Sequence, residues 1–280
     1  MGSAAAVRFP TLAIAIANRR AMTLASASTL RSRIVAAGYD WIVPSWPAPP
    51  NVCAFATTKN GGVSAGRYAT LNLGASNGDD PAAVAANRGR IDAFVPSRPM
   101  WLDQMHGADV AIFRNNARAK NPRAADAAVT CERDVVLSVL IADCLPVLFA
   151  ERNGRVVGIA HAGWRGLARG VLETTVAAMD VAAEDIVAWL GPAIGMHAFE
   201  VGDDVIDAFA DSNIAACFRL KRVGKWNADL YAIARARLAR CGVHDVHGGG
   251  YCTFTDSARF FSYRRDGQTG RMAALIWIAS

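Results

Sequence analysis

Between Ile141 and Gly166 the chain runs Ile-Ala-Asp-Cys-Leu-Pro, then Val-Leu-Phe-Ala-Glu-Arg-Asn-Gly-Arg-Val-Val-Gly-Ile, then Ala-His-Ala-Gly-Trp-Arg-Gly. Two apolar, β-branched stretches meet at Asn153-Gly154, the dipeptide most tolerant of the positive φ angles of a tight hairpin turn. Centring the turn between those residues makes the numbers of facing residues sum to 307. Pro146 then faces His161, and Cys144 faces Gly163. Cys144 and His161 become diagonal neighbours on one face, with backbones roughly 7–8 Å apart and side chains closer. A thiol and an imidazole projecting together from one hairpin end can share a metal ion or a proton.

The rest of the chain reads as mixed α and β. Strands are expected at Val52–Thr58, Val135–Ile141, Ile186–Leu190 and Ala273–Ile278. Helices are expected at about 81–90, where Asp80 precedes Pro81, at Leu167–Met179, Val205–Phe209 and Leu230–Leu238. With no internal repeat and no linker beyond residue 50, one α/β domain is expected over 41–280. A hydrophobic content of 52% with 19% charge suits a packed globular chain.

The net charge of +6 is misleading until it is located. Residues 1–39 carry Arg8, Arg19, Arg20, Arg31 and Arg33 and no acid, which leaves only +1 for the remainder. That near-neutral body has no basic stripe interleaved with aromatics and argues against nucleic-acid binding. No apolar run approaches the roughly 18 residues of a membrane span. The segment 1–40, without an acidic residue before Asp40, is expected to be a disordered leader or a start codon placed too early, with Met22 as a better start. Arginine is abundant everywhere here, 26 against four lysines, so arginine in the leader is only weak evidence for targeting. Six scattered cysteines without a C-x-x-C pair suit a reducing compartment, and a cytoplasmic location is expected.

Of five histidines, His106 and His161 sit among glycines and polar groups, in Gln-x-His-Gly and His-x-Gly-Trp-x-Gly. With Cys144 they make a possible three-ligand set, as in catalytic zinc sites that keep a fourth position open. A Cys144–His161 nucleophile pair, or two structural residues, remain alternatives, because the spacing matches no local zinc motif. Asp143 is expected either to cap backbone or to act as an acid, base or orienting group beside Cys144. Lys59-Asn60-Gly61-Gly62 is a glycine loop with a cation that could cradle an oxyanion, with Arg165 as a second cation. Ser262-Tyr263-Arg264-Arg265 is a further cationic candidate.

Taken in order, Thr57-Thr58-Lys59-x-Gly61-Gly62-Val63-Ser64, Leu71-Asn72-Leu73-Gly74, Gln104-x-His106-Gly107, Ala142-Asp143-Cys144-x-Pro146, His161-Ala162-Gly163-Trp164-Arg165-Gly166, Gly191-Pro192-Ala193-Ile194-Gly195 and Ser262-Tyr263-Arg264-Arg265 resemble the YfiH family, also called laccase-domain or polyphenol-oxidase-like proteins. The resemblance covers about residue 41 to the end. It departs at Met196, where proline is frequent, and at Lys59, where arginine is common and would grip phosphate with two parallel bonds.

The resemblance implies one α/β domain with mixed sheets sandwiched between helices in four αββα layers. It implies one zinc per chain on His106, Cys144 and His161, and a purine nucleoside phosphorylase with adenosine deaminase side activity. The substrates implied are adenosine, inosine, guanosine or methylthioadenosine with phosphate, handled by a monomer. A copper-dependent polyphenol oxidase is the other activity attributed to the family, and five histidines are too few for a blue-copper site plus a three-copper cluster. A redox-inert zinc suits hydrolysis or group transfer instead. On this reading Asp143, Cys144 and His161 are catalytic, and Lys59, Gly61, Gly62 and Arg165 hold phosphate. A metal-free cysteine hydrolase, with Cys144 as nucleophile, His161 as base and Asp143 as orienter, is the alternative.

Overall fold

A computed structural model describes residues 27–114, 123–209 and 214–280. Its strands are β1 (Val52–Ala56), β2 (Leu102–Asp103), β3 (Val110–Phe113), β4 (Arg123–Ala124), β5 (Ala127–Thr130), β6 (Leu137–Ile141), β7 (Leu145–Glu151), β8 (Val157–Ala162), β9 (Ile186–Leu190), β10 (Glu200–Val201), β11 (Phe218–Arg222), β12 (Lys225–Ala228), β13 (Asp245–Gly248) and β14 (Met272–Ile278). The helices are α1 (Ala27–Ala36), α2 (Pro81–Asp92), α3 (Trp164–Ala168), α4 (Val171–Met179), α5 (Asp203–Asp207), α6 (Leu230–Arg240) and α7 (Tyr263–Asp266).

A six-stranded mixed sheet in the order β13-β9-β7-β8-β5-β3 lies against a three-stranded antiparallel sheet, β1-β14-β6. Alternation along β7 and β8 explains the stacking. Leu145, Val147, Phe149 and Ala160 face a core shared with Val171, Leu172, Ile233 and Leu238 of α4 and α6. Leu148, Ala150, Val157 and Ile159 face the other way, into a core shared with Val139, Ala274 and Ile276 of the smaller sheet. That sheet's outer face, with Phe55, Leu275 and Trp277, is covered by Leu30 and Ile34 of α1 and Ile91 of α2. The result is the expected four-layer αββα order, because the central strands of the inner layers, β7, β8, β9 and β14, bury both faces.

Three expectations need correction. Residues 27–36 are not part of a disordered leader: Leu30 and Ile34, four apart on α1, are 0% and 1% exposed, a one-sided apolar stripe that must be covered. The expectations for residues 1–26, including Met22 as a start, lie outside the described residues. The helix expected over 167–179 is two, α3 and α4, broken at Gly170, whose φ of +86° does not continue a helix. The hairpin register is as expected, with Pro146 opposite His161 and Val147 opposite Ala160, but the turn differs. Only Gly154 has a positive φ, +68°, and its N–H donates to Glu151 O at 2.8 Å while Glu151 N–H donates to Val156 O. This is a longer loop built on an ordinary turn, and it preserves the register.

Candidate metal centre and cleft

His161 is the fifth residue of β8, on the face that carries Val157 and Ile159 toward the smaller sheet. It therefore emerges where the two sheets part. Across the hairpin, β7 starts only at Leu145. Residues 142–144 bend away, with Asp143 at φ +94°, and Cys144 turns toward His161. His106 comes from the loop between β2 and β3. Gln104 fastens that loop to β6 by donating from Nε2 to Leu140 O at 2.9 Å and accepting Leu140 N–H at 2.7 Å.

The three side chains meet. Cys144 Sγ is 3.8 Å from His106 Nε2, the two imidazole centroids are 4.9 Å apart, and one ligand atom from each of the three lies within 4.8 Å of the others. A tetrahedral zinc with ordinary Zn–N and Zn–S bonds sets ligand atoms roughly 3.3–3.6 Å apart, so the donor set fits with a small closing movement. Among the described residues this is the only group of three or more His, Cys, Asp or Glu side chains close enough to share an ion.

Electrostatics support anionic sulfur. Burial pushes the Cys144 thiol up, but the adjacent His161 and His106 outweigh it and bring it down to about 6. Burial pulls the His161 imidazole down, and Cys144 with Asp126 reverses this to about 9. Gly163 leaves the trio its space: a Cβ there would stand 2.8 Å from Cys144 Sγ and 3.4 Å from His106 Cδ2.

Asp126, which the sequence analysis did not single out, organises the centre. Its Oδ1 lies 2.9 Å from His161 Nδ1 and accepts the His106 N–H at 2.9 Å. Its Oδ2 accepts the N–H groups of Met105 at 3.0 Å and Gly107 at 2.6 Å. Burial would raise its carboxyl, but these bonds and His161 hold it below the usual carboxylate range. His106 has a φ of +58°, a left-handed conformation that costs a non-glycine residue about 1–2 kcal/mol. The Asp126 bonds hold it there.

Of the two tasks expected for Asp143, the geometry matches the backbone-capping one. Its Oδ1 accepts Thr253 Oγ1–H at 2.6 Å and its Oδ2 accepts Arg264 N–H at 2.7 Å, so it ties two later segments to the strand entry. It lines the cleft, but His161 is oriented by Asp126.

The trio lies at the wall of a cleft of about 930 Å³ that also presents Trp101, Trp164, Phe199, Tyr263 and the arginines Arg88, Arg165, Arg264 and Arg271. Arg165 and Arg264 line the same cleft as the trio. Lys59, Gly61 and Gly62 are not among the lining residues. Their loop is occupied with packing: Lys59 O accepts Thr70 and Leu71 N–H, and a Cβ at Gly62 would stand 2.2 Å from Thr70 O. Glycine is needed there for close backbone approach, and the expected phosphate loop is corrected accordingly. Arg265 also turns inward, to the carbonyls of Thr253, Phe254 and Phe260.

Residues 53–279 match the family model described as multi-copper polyphenol oxidoreductase laccase. A protein of Escherichia coli K12 named purine nucleoside phosphorylase YfiH is 49% identical over 241 residues, covering 85% of this chain and 98% of that protein. The chain belongs to the YfiH, or laccase-domain, family. A Pseudomonas aeruginosa relative, also named a purine nucleoside phosphorylase, is 48% identical over 241 residues, with 85% and 98% of the two chains covered. Among solved structures, a Neisseria meningitidis protein of the DUF152 family superposes with a TM-score of 0.83 at 49% identity, covering 86% of this chain and all of that one. YlmD from Geobacillus stearothermophilus gives 0.77 at 34% identity, covering 84% and 94%. The family fold is therefore this fold. No helix among the described residues is long and apolar enough to cross a membrane.

Proposed function

We propose that this member of the YfiH family is a zinc-dependent purine nucleoside phosphorylase with adenosine deamination as a second activity. The observation that carries the reading is the convergence of His106, Cys144 and His161 on one wall of a cleft lined by aromatic rings and guanidinium groups. The names of its bacterial relatives supply the substrate class.

His106, Cys144 and His161 would hold the ion, whose contribution when bound is Lewis acidity at a substrate oxygen or at water. The chain's own residues do the rest. Asp126 keeps the His161 proton on Nδ1, so that Nε2 offers its lone pair to the centre. Trp101 and Trp164, each with a guanidinium over one ring face, and Tyr263 supply aromatic walls against which a purine would pack. In phosphorolysis an oxygen of orthophosphate bonds to the anomeric carbon. The N-glycosidic bond breaks, and its electron pair leaves with the base, which takes up a proton. The products are the free base and ribose 1-phosphate. Deamination of adenosine consumes water and yields inosine and ammonia.

The test is a substrate panel of adenosine, inosine, guanosine and methylthioadenosine, with and without phosphate, on protein of measured metal content. Phosphate-dependent release of base with one zinc per chain is the expected result. Zinc-loaded protein that turns over none of them would sink the reading.

One observation favours a second reading, a metal-free cysteine hydrolase. Cys144, His161 and Asp126 form the series nucleophile, base and orienting carboxylate, with Asp126 taking the place expected for Asp143. Active protein without metal, inactivated by Cys144→Ser, would favour it.

A further inference from the structure

Two of the cleft's arginines are half-buried and, among the described residues, make no ion pair. Arg88, on α2, lies over the Trp101 ring with Cζ 4.1 Å from the ring centroid. It donates from Nε to Leu73 O at 2.9 Å. Arg271, just before β14, donates from Nη1 to Thr269 O at 2.8 Å and Gly270 O at 3.1 Å, and its own carbonyl accepts Leu73 N–H at 2.9 Å. Leu73 is thus held on one side by the Arg88 guanidinium and on the other by the Arg271 backbone, which brings the two side chains to the same corner of the cleft.

The corner is built for them. Gly74 follows Leu73, and a Cβ there would stand 2.9 Å from Arg271 Cγ. Asn77 closes the 74–77 loop against the same segment by donating from Nδ2 to Thr269 O at 3.0 Å. Among the described residues neither guanidinium is ion-paired, and Arg88 Nη1 and Nη2 and Arg271 Nε and Nη2 have no protein partner. Arg165 and Arg264 differ: both are exposed, and Arg264 Nη1 donates to Glu200 O at 2.6 Å. Burial lowers the pKa of both Arg88 and Arg271, with Asp92 the charge that most offsets this at Arg88 and Cys144 the one that most offsets it at Arg271. Half-buried guanidinium groups with unused planar donors are poorly placed for water and well placed for a tetrahedral oxyanion, which can accept paired bonds from each. Arg88 and Arg271 line the same cleft as His106, Cys144 and His161.

We propose that Arg88 and Arg271, with the Gly74–Asn77 loop, form the cleft's subsite for a phosphate group, free or carried on a nucleoside. The choice of free orthophosphate rests on the phosphorylase reading above; the subsite itself does not.

The test uses the full chain with measured metal content and two probes, inorganic phosphate and adenosine 5′-monophosphate. Binding is followed by calorimetry and turnover by release of base. Arg88→Gln and Arg271→Gln are each expected to raise the Kd and KM for inorganic phosphate at least tenfold, with the nucleoside KM within threefold and zinc content unchanged. If a glutamine variant does not fold, Arg88→Lys or Arg271→Lys keeps the charge without the fork, and a three- to tenfold loss is expected. Wild-type protein that binds phosphate without phosphorolysis, where both variants lose the binding, upholds the subsite and removes the phosphorylase reading. Binding of the monophosphate alone, lost in both variants, upholds the subsite with the phosphate carried on the nucleoside. Unchanged affinity in both folded variants overturns the proposal, as does loss of phosphate affinity in Lys59→Gln or Arg165→Gln instead.

Discussion

One carboxylate serves two of the three proposed ligands: Asp126 lies 2.9 Å from His161 Nδ1 and accepts the N–H of His106 at 2.9 Å. It orients one imidazole directly and holds the other through its backbone. Carboxylates behind metal-bound histidines typically contribute 10–100-fold in metal affinity. Asp126→Asn keeps the size but swaps one acceptor for a donor facing two of the four groups that these oxygens now bond, so a loss at or above the top of that range is expected. Competition with a coloured zinc chelator measures it. Unchanged affinity in a folded variant would mean the trio is held without Asp126.

Cys144→Ser replaces a thiolate by a hydroxyl that ionises far above neutral pH, and zinc content is expected to fall from one per chain to near zero. Phosphorolysis and deamination should disappear together, because both are assigned to one centre. Survival of either in protein stripped of metal would separate the two activities.

Gly163→Ala tests the space around the centre without replacing a ligand. The φ of Gly163 is −67°, which alanine adopts freely, so the backbone bears no penalty. The new methyl group would stand 2.8 Å from Cys144 Sγ and must displace it. Zinc affinity is expected to drop tenfold or more, while the stability of the metal-free protein changes by about 1 kcal/mol, within the range of small overpacking effects. Metal titration beside denaturant melts gives both numbers.

The pairing of Cys144 with His161 was legible because hairpin register is arithmetic: once Asn153-Gly154 marks the turn, Pro146 must face His161. That the turn is longer than two residues did not matter, because the loop is symmetric about the same midpoint. His106 was legible from its glycine and glutamine neighbours. Asp126 was not, since three of its four donors are consecutive backbone N–H groups of residues 105–107, and backbone donors leave no mark in the side-chain sequence. Lys59 misled for a related reason. Gly61 and Gly62 look like an anion cradle, but they are small because Tyr39 and Thr70 press on them, a contact known only once the chain is folded. Arg88 and Arg271 come from distant parts of the chain and meet only through Leu73.

The hairpin that carries Cys144 and His161 is braced at its far end by Glu151, whose side chain is fully buried. Its carboxylate accepts Asn153 Nδ2 at 2.7 Å, Arg155 N–H at 3.1 Å and Arg155 Nη2 at 2.9 Å. Burial pushes the carboxyl up, but Arg155 and Asn153 outweigh it and bring it from 4.5 to about 2. A carboxyl depressed on folding contributes stability that is complete above its unfolded value and fades as pH falls through the folded one. The contribution of Glu151 is therefore expected to be full above about pH 5.5 and gone near pH 1–2. Glu151→Gln should cost roughly 2–3 kcal/mol at pH 7, and the gap to the wild type should narrow steadily from pH 5 to pH 2. Urea unfolding of both proteins across that range measures it, and a gap independent of pH would show that the residue acts through packing and neutral hydrogen bonds instead of its charge.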